Sequence, residues 1–387
     1  MTLDARDTLG FSTRAIHAGE FKDRSTGALN TPIYMTSTFA FDSAAEKEAA
    51  VDSALAWQPE AYFYSRTGNP TTHALECKVA SLEGAEDSVV SSAGMAAVSG
   101  ALFSLLNVGD HCVAAKDIFI ITRFLIDDVL KSKGVDITHV DVSDIAAVRA
   151  AIQPNTKVLF IESLSNPHME LADIATLADI AHEAKIMLIV DNTFLSPYLL
   201  RPLEFGADLV VHSGTKYLGG HGDALAGTTA GRKDLIDGVR YQLDSFGGAA
   251  SPFNSWLILR GIRTLAMRMK VHSSNALAVA QYLEAQDGVE WVGYVGLPSH
   301  PQHDLANKIL PHGFGGMMSM RLAGGIEAME RFVSALHISS IGVSLGDVHS
   351  LAYPMPKREN LIRLSVGCED VDDLVADYER GIAAAIN

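Results

Sequence analysis

The sequence predicts an α/β fold: a mostly parallel central sheet with helices on both faces, followed by a smaller α+β C-terminal domain. Three features carry this expectation. Short apolar segments recur at 88–90, 111–114, 136–140, 158–161, 186–190 and 209–211. Helical stretches at 93–106, 144–152 and 171–184 fall between several of them, and the texture changes after Asp287. Apolar strands alternating with helices pair in parallel, because each crossover helix covers a face of the sheet.

Residues 1–60 hold no compact pattern. Phe39 and Phe41 anchor extended chain, 43–57 reads as an Ala- and Glu-rich helix, and the segment is expected to be an arm contributing to a neighbouring subunit. The alternative is a loop packed on its own domain. Residues 61–255 are expected to form the large domain, with a helix at 72–82. Residues 256–387 make a linking helix, running from Trp256 to about Gln286, and the smaller domain. There, strands at 317–322 and 361–366 and helices at 325–337 and 369–385 are expected, with Asp370, Asp372 and Asp373 favourably placed near the start of the last helix.

Composition narrows the function. The 387 residues carry a formal net charge of −16, which argues against general nucleic-acid binding and against docking on an anionic membrane. Cys77, Cys112 and Cys368 are too scattered for a disulfide framework or a metal site. The N-terminal MTLDARDTLG lacks an apolar signal segment, and no apolar run reaches membrane-spanning length. A cytoplasmic protein with reduced thiols is therefore expected. No dinucleotide fingerprint or Walker loop follows a suitable strand, and His221-Gly222-Asp223 lacks metal-site spacing.

Chemistry concentrates at the carboxyl ends of the expected strands, where ligands of such sheets bind. Lys216 follows the 209–211 strand in Ser213-Gly214-Thr215-Lys216. A lysine there must be paired, desolvated or chemically used, and a Schiff base with an aldehyde cofactor is one such use. A surface lysine is the plainer alternative. Ser213 and Thr215 could accompany a phosphate, and Ala93-Gly94-Met95 opens a helix whose free amides suit the same dianion. Asp191 ends an apolar strand and could keep a heterocyclic nitrogen protonated, or serve merely as a turn residue. Tyr64 and Arg66 lie among aromatics before a Gly-Asn-Pro turn, where an arginine fork and a phenol suit phosphate or carboxylate. Arg363, inside an apolar strand, needs an anion such as a substrate carboxylate or an internal ion pair.

Taken together, YSRTGNPT (64–71), VVHSGTKYLGGHGD (210–223), LILRGIRTLAMRM (257–269) and VSLGD (343–347) resemble the Cys/Met-metabolism family of pyridoxal-phosphate enzymes over almost the whole chain. The family includes methionine γ-lyase, cystathionine synthases and lyases, and homoserine-ester sulfhydrylases. The resemblance implies pyridoxal 5′-phosphate, fold type I, and a homotetramer made of two dimers that complete one another's sites. It implies Lys216 as the Schiff-base lysine and Asp191 as partner of the pyridine nitrogen. Gly94, Met95, Ser213 and Thr215 become phosphate contacts, joined by Tyr64 and Arg66 of the neighbouring subunit. Arg363, Asn166 and the Ser344 main chain become the substrate-carboxylate site.

The departures bear on the reaction. Phe119 stands where the family has a tyrosine that stacks on the cofactor and assists the leaving group, so stacking is kept and the hydroxyl lost. Ile120 and Ile121 replace two glycines, which must redirect or stiffen that segment. Ala93 replaces a common serine, Leu164 a proline and His349 a glutamate. VSLGD lacks the glutamate that cystathionine-processing relatives often place before Ser-Leu-Gly. The expectation is γ-elimination from a methionine-like amino acid. Its alternatives are γ-replacement on an O-acyl-homoserine and a non-catalytic pyridoxal-phosphate-binding oligomer, the last opposed by intact Lys216, Asp191 and Arg363.

Overall fold

The computed structural model describes residues 8–386. A seven-stranded sheet is built from β1 (Asp87–Ser91), β2 (His111–Ala115), β3 (Asp136–Val140), β4 (Thr156–Glu162), β5 (Met187–Asp191), β6 (Leu209–Ser213) and β7 (Gly227–Gly231), in the order β1-β7-β6-β5-β4-β2-β3. Strands β3, β2, β4, β5 and β6 pair in parallel, whereas β7 runs antiparallel to both its neighbours. The second sheet contains β8 (Val289–Gly293), β9 (Met317–Leu322), β10 (Ser340–Ile341), β11 (Leu351–Met355) and β12 (Leu361–Ser365), in the order β10-β11-β12-β9-β8. Each sheet has its own apolar core. The mostly parallel sheet and the smaller second sheet are those the sequence predicts.

Local chemistry explains the element ends. The expected helix at 72–82 is Pro70–Glu83: Asn69 caps it by accepting from the Thr71 amide at 2.9 Å, Pro70 starts it, and Gly84 ends it in the left-handed region. The expected helix at 171–184 starts only at Ile174. Asp173 caps it, while Leu171 bridges back to Leu164. The single linking helix is in fact two, Pro252–Ile262 and Leu265–Glu284. Its apolar pattern runs through the break, so periodicity alone does not reveal it. Strand β7 and the helix Lys233–Phe246 are additions to the expected elements.

Part of the N-terminal segment is fastened to its own subunit. The fully buried Lys78 amine donates to the Ala15 carbonyl at 2.7 Å and to Glu20 at 3.0 Å, and Arg263 pairs with the same carboxylate at 3.0 Å. The helix Ala44–Leu55, by contrast, buries only Ala54. Among the described residues, no helix is long and apolar enough to cross a membrane.

In the second core, the helices Gly325–Ala335 and Val371–Ile386 meet through stacked Phe332 and Tyr378 rings, 6.2 Å apart. Asp377, with no exposed surface, accepts from the amides of His337, Ile338 and Ser339 at 2.6, 3.1 and 3.0 Å. It therefore ties down the chain leaving the Gly325–Ala335 helix. Asp377→Ala would leave three amides without their acceptor and should destabilise this region by on the order of 3 kcal/mol. Hydrogen exchange should show lost protection confined to residues 325–341 and 371–386. Unchanged protection there would refute the role.

Candidate active site

Parallel register brings the polar ends of three strands together. Glu162 of β4 pairs with Asp191 of β5, and Asp191 pairs with Val211 of β6, one turn before Ser213–Lys216. The helix Gly94–Leu105 points its N-terminus at the same edge. A Cβ on Gly94 would lie 2.7 Å from the Ser213 Cβ, so only glycine permits that approach. Ala93 gives this helix no side-chain cap, and among the described residues the Gly94 and Met95 amides have no protein acceptor. Two such amides at a helix start, with the Ser213 hydroxyl across from them, form an anion cradle, while Thr215 Oγ1 bonds the Ala226 backbone on the same turn.

Lys216 stands beside this cradle. Its amide donates to the Ser213 carbonyl at 3.1 Å, and its amine donates to Ser344 Oγ at 2.8 Å. Burial, and then the positive charge of Arg363, lower its pKa to about 8. Arg363 is itself 4% exposed and has no carboxylate within ion-pair range among the described residues. Its guanidinium donates to Asn166 Oδ1 at 3.3 Å and to the Val343 and Ser344 carbonyls at 2.9 and 3.2 Å, and lies over the Tyr353 ring at 5.1 Å. Sequence reasoning anticipated the Ser344 main chain here; the structure adds its hydroxyl.

Asp191 Oδ1 accepts from the Thr193 amide at 3.0 Å and the Thr193 hydroxyl at 2.5 Å, while Oδ2 accepts from no donor among the described residues. Burial raises its pKa despite these bonds. Ser213 closes the chain, its amide donating to Thr193 Oγ1 at 2.9 Å. Thr193 is a residue the sequence reading missed. A hydroxyl two residues after an aspartate is a turn signal that could have found it. Glu162, also unassigned from sequence, is 7% exposed and accepts from the Phe119 amide at 2.6 Å. Burial and then the neighbouring Asp191 charge push its pKa well up.

Phe119 immediately precedes a short helix, Ile120–Phe124, which runs on into a π-helical turn, Leu125–Leu130. The isoleucines have thus made a helix where glycines would favour a loop. Thr122 Oγ1 lies 3.7 Å from the Met95 sulfur, which places the segment against the phosphate-side helix. Tyr64 and Arg66 are not brought into this cluster within one chain. Arg66 donates to Asp244 at 2.9 Å and lies over the Tyr64 ring. His349, on the 343–349 loop, is exposed and faces Asp347.

The family model for Cys/Met metabolism PLP-dependent enzymes matches residues 12–383. The chain belongs to that family. It is 42% identical over 396 residues to an L-methionine gamma-lyase of Treponema denticola, covering 97% of each chain. It is also 42% identical over 390 residues to an O-succinylhomoserine sulfhydrylase of Pseudomonas aeruginosa, covering 97% of this chain and 95% of the other. The crystal structure of metB from Corynebacterium glutamicum superposes with a TM-score of 0.92 at 38% identity, covering 99% of both chains. The protein is therefore a pyridoxal-phosphate-dependent enzyme of fold type I.

The residues present fit the cofactor this family uses. Gly94 and Met95 offer unpaired amides, Asp191 Oδ2 is open to a ring N–H, and Lys216 is a desolvated amine. The sign of the lysine shift gives a test. Its amine is free above about pH 8 rather than above the ordinary lysine value, so covalent loading of the cofactor-free protein should rise with pH to half its maximum near 8. Arg363→Met should move that midpoint upward by removing the neighbouring cation. A wild-type midpoint near 10 would contradict the geometry.

Proposed function

We propose that this enzyme performs γ-elimination on a methionine-like amino acid, yielding with one water an α-keto acid, ammonia and a thiol. The observation that carries it is the pairing of a buried, unpaired Arg363 with a desolvated Lys216. An anchor for an α-carboxylate and an amine for the adjacent Cα thus stand side by side. The absence of a hydroxyl at Phe119 favours a leaving group that needs little protonation, and a thiolate leaves more readily than an alkoxide.

Pyridoxal phosphate, when bound, supplies an electron sink for the charge developing at Cα. The residues supply the rest. Arg363 takes the substrate carboxylate in its fork, oriented by Asn166 and the two backbone carbonyls. Lys216 Nζ accepts the Cα proton, and Ser344 Oγ steers that amine. Asp191, held by Thr193, would take the ring nitrogen on its other oxygen and favour that nitrogen's protonated form. Gly94, Met95, Ser213 and Thr215 would hold the phosphate.

The second reading is γ-replacement, in which a thiol nucleophile displaces the acyloxy group of an O-acyl-homoserine. The likeness to a sulfhydrylase supports it. Product analysis with methionine, cystathionine and homoserine esters, with and without sulfide, separates the two. Keto acid and ammonia from methionine without sulfide are expected. Product forming only when a thiol is added would replace elimination by synthesis, and no turnover of any amino acid would favour a non-catalytic oligomer. In the same assay Phe119→Tyr should speed poor, alkoxide-type leaving groups by at least about tenfold while changing methionine turnover little.

The quaternary arrangement belongs to the same proposal: a cytoplasmic homotetramer of two dimers, with an N-terminal arm (1–60), a large domain (61–255) and a small one (256–387). Exposed Tyr64 and Arg66 would complete the phosphate site of the neighbouring subunit. Mixing inactive Lys216→Ala chains with inactive Arg66→Ala chains should restore activity in the mixed assemblies. Failure to do so, with exchange verified by mass, would argue that each site is complete in one subunit.

A further inference from the structure

Arg268 of the helix Leu265–Glu284 is 6% exposed, yet no carboxylate lies within ion-pair range of it among the described residues. Its guanidinium is spent on oxygens of the lysine loop and of the preceding helix. Nη1 donates to the Tyr217 carbonyl at 2.8 Å, and Nη2 donates to the Gly261 carbonyl at 2.8 Å and more weakly to Leu218 at 3.5 Å. Nε donates to Thr264 Oγ1 at 3.1 Å. Burying an arginine without a counter-charge is expensive, and packing alone would be served as well by an apolar chain. Its donors must therefore hold something that tolerates little displacement.

What they hold is the chain immediately after Lys216. On its amino side, Lys216 is tied to Ser213 of the phosphate cradle. On its carboxyl side, Tyr217 and Leu218 are tied to Arg268, and Gly220 turns back to donate to the Lys216 carbonyl at 2.8 Å. Gly220 has a positive φ of 70°, and a side chain there would run into the guanidinium. We propose that Arg268 is the positioning residue of Lys216: it fixes the main chain of the lysine loop, so that only the side-chain torsions move when the amine leaves and rejoins the cofactor. The inference rests on the reading of Lys216 as the cofactor-bearing lysine. The break between the two helices has a purpose on this account, because Thr264, at the break, orients the Arg268 fork.

Covalent capture tests this separately from folding. Lys216 Nζ and the aldehyde condense with loss of one water; borohydride then delivers hydride to carbon and solvent a proton to nitrogen, leaving a secondary amine that peptide mass spectrometry locates. The aldehyde-free analogue 4′-deoxypyridoxine phosphate reports non-covalent binding alone. Cofactor-free wild type, Arg268→Lys, Arg268→Met and Thr264→Val are compared. Analogue affinity should stay within about twofold, because the cradle and Asp191 are untouched. The capture rate should fall at least about tenfold in the Arg268 variants and about threefold in Thr264→Val, and kcat should fall more than KM rises. Capture at the wild-type rate by a variant that binds the analogue would overturn the proposal. So would a parallel loss of analogue binding and capture, which marks a merely structural tie. Should the Arg268 variants not fold, Thr264→Val, which keeps the charge, decides. If wild type itself is not captured at Lys216, it is the lysine assignment that fails.

Discussion

A buried arginine beside a partly buried lysine is the constraint on which this site depends. Arg363 lacks an ion-pair partner among the described residues, and its charge adds to burial in holding Lys216 below the ordinary lysine range, at about 8. Burial likewise lowers Arg363, to about 10. Such an arrangement is unfavourable on its own and becomes favourable when an anion enters or when the amine gives up its proton. On the proposed reading, an amino-acid substrate brings both events, its carboxylate satisfying the arginine while the lysine works as a base. The free protein thus holds its electrostatic strain where binding can relieve it.

The two sheets bring these cations together from different parts of the chain. Lys216 follows β6 of the large sheet, whereas Arg363 lies inside β12, between β11 and β9, paired with Tyr353 on one side and Ser319 on the other. Tyr353 contributes its ring beneath the guanidinium, and Ser319 Oγ donates to the Pro167 carbonyl at 2.6 Å, next to Asn166. One pair of strands therefore fixes both the arginine and the amide that orients it. The chain between β10 and β11 completes the contact, its Ser344 meeting Arg363 through a carbonyl and Lys216 through a hydroxyl.

Much of this was legible along the chain because the essential groups interrupt strong patterns. Asp191 ends an apolar run, Lys216 follows one across a short polar turn, Arg363 sits within one, and Gly94 opens a helix with no capping side chain. Other parts carried weak signals. Strand β7 is Gly-Thr-Thr-Ala-Gly, with no apolar alternation, and is recognised as a strand only through its pairing with β1 and β6. The helix Lys233–Phe246 did carry readable marks, Asp234 in its first turn and Gly247 past its end. The bonds from Phe119 to Glu162 and from Arg268 to the lysine loop join residues tens of positions apart, and no local pattern encodes them.

On the proposed reading, the Phe119 segment is the local departure that bears on the leaving group. Isoleucines at 120 and 121 have β-branched side chains that limit backbone freedom, and the segment they occupy is helical rather than looped. Its side chains remain outward: Phe119, Ile120, Ile121 and Phe124 are all at least 39% exposed. The Phe119 amide is meanwhile held at 2.6 Å by a carboxyl whose pKa is raised by burial. The segment is thus fixed at one end, stiff along its length and without a hydroxyl at position 119. A departing alkoxide would find no phenol there to protonate it, while a thiolate is polarisable, less basic and compatible with apolar neighbours. On the proposed reading, phenylalanine at 119 would leave the site working and narrow its chemistry toward substrates whose carbon–sulfur bond breaks without that help.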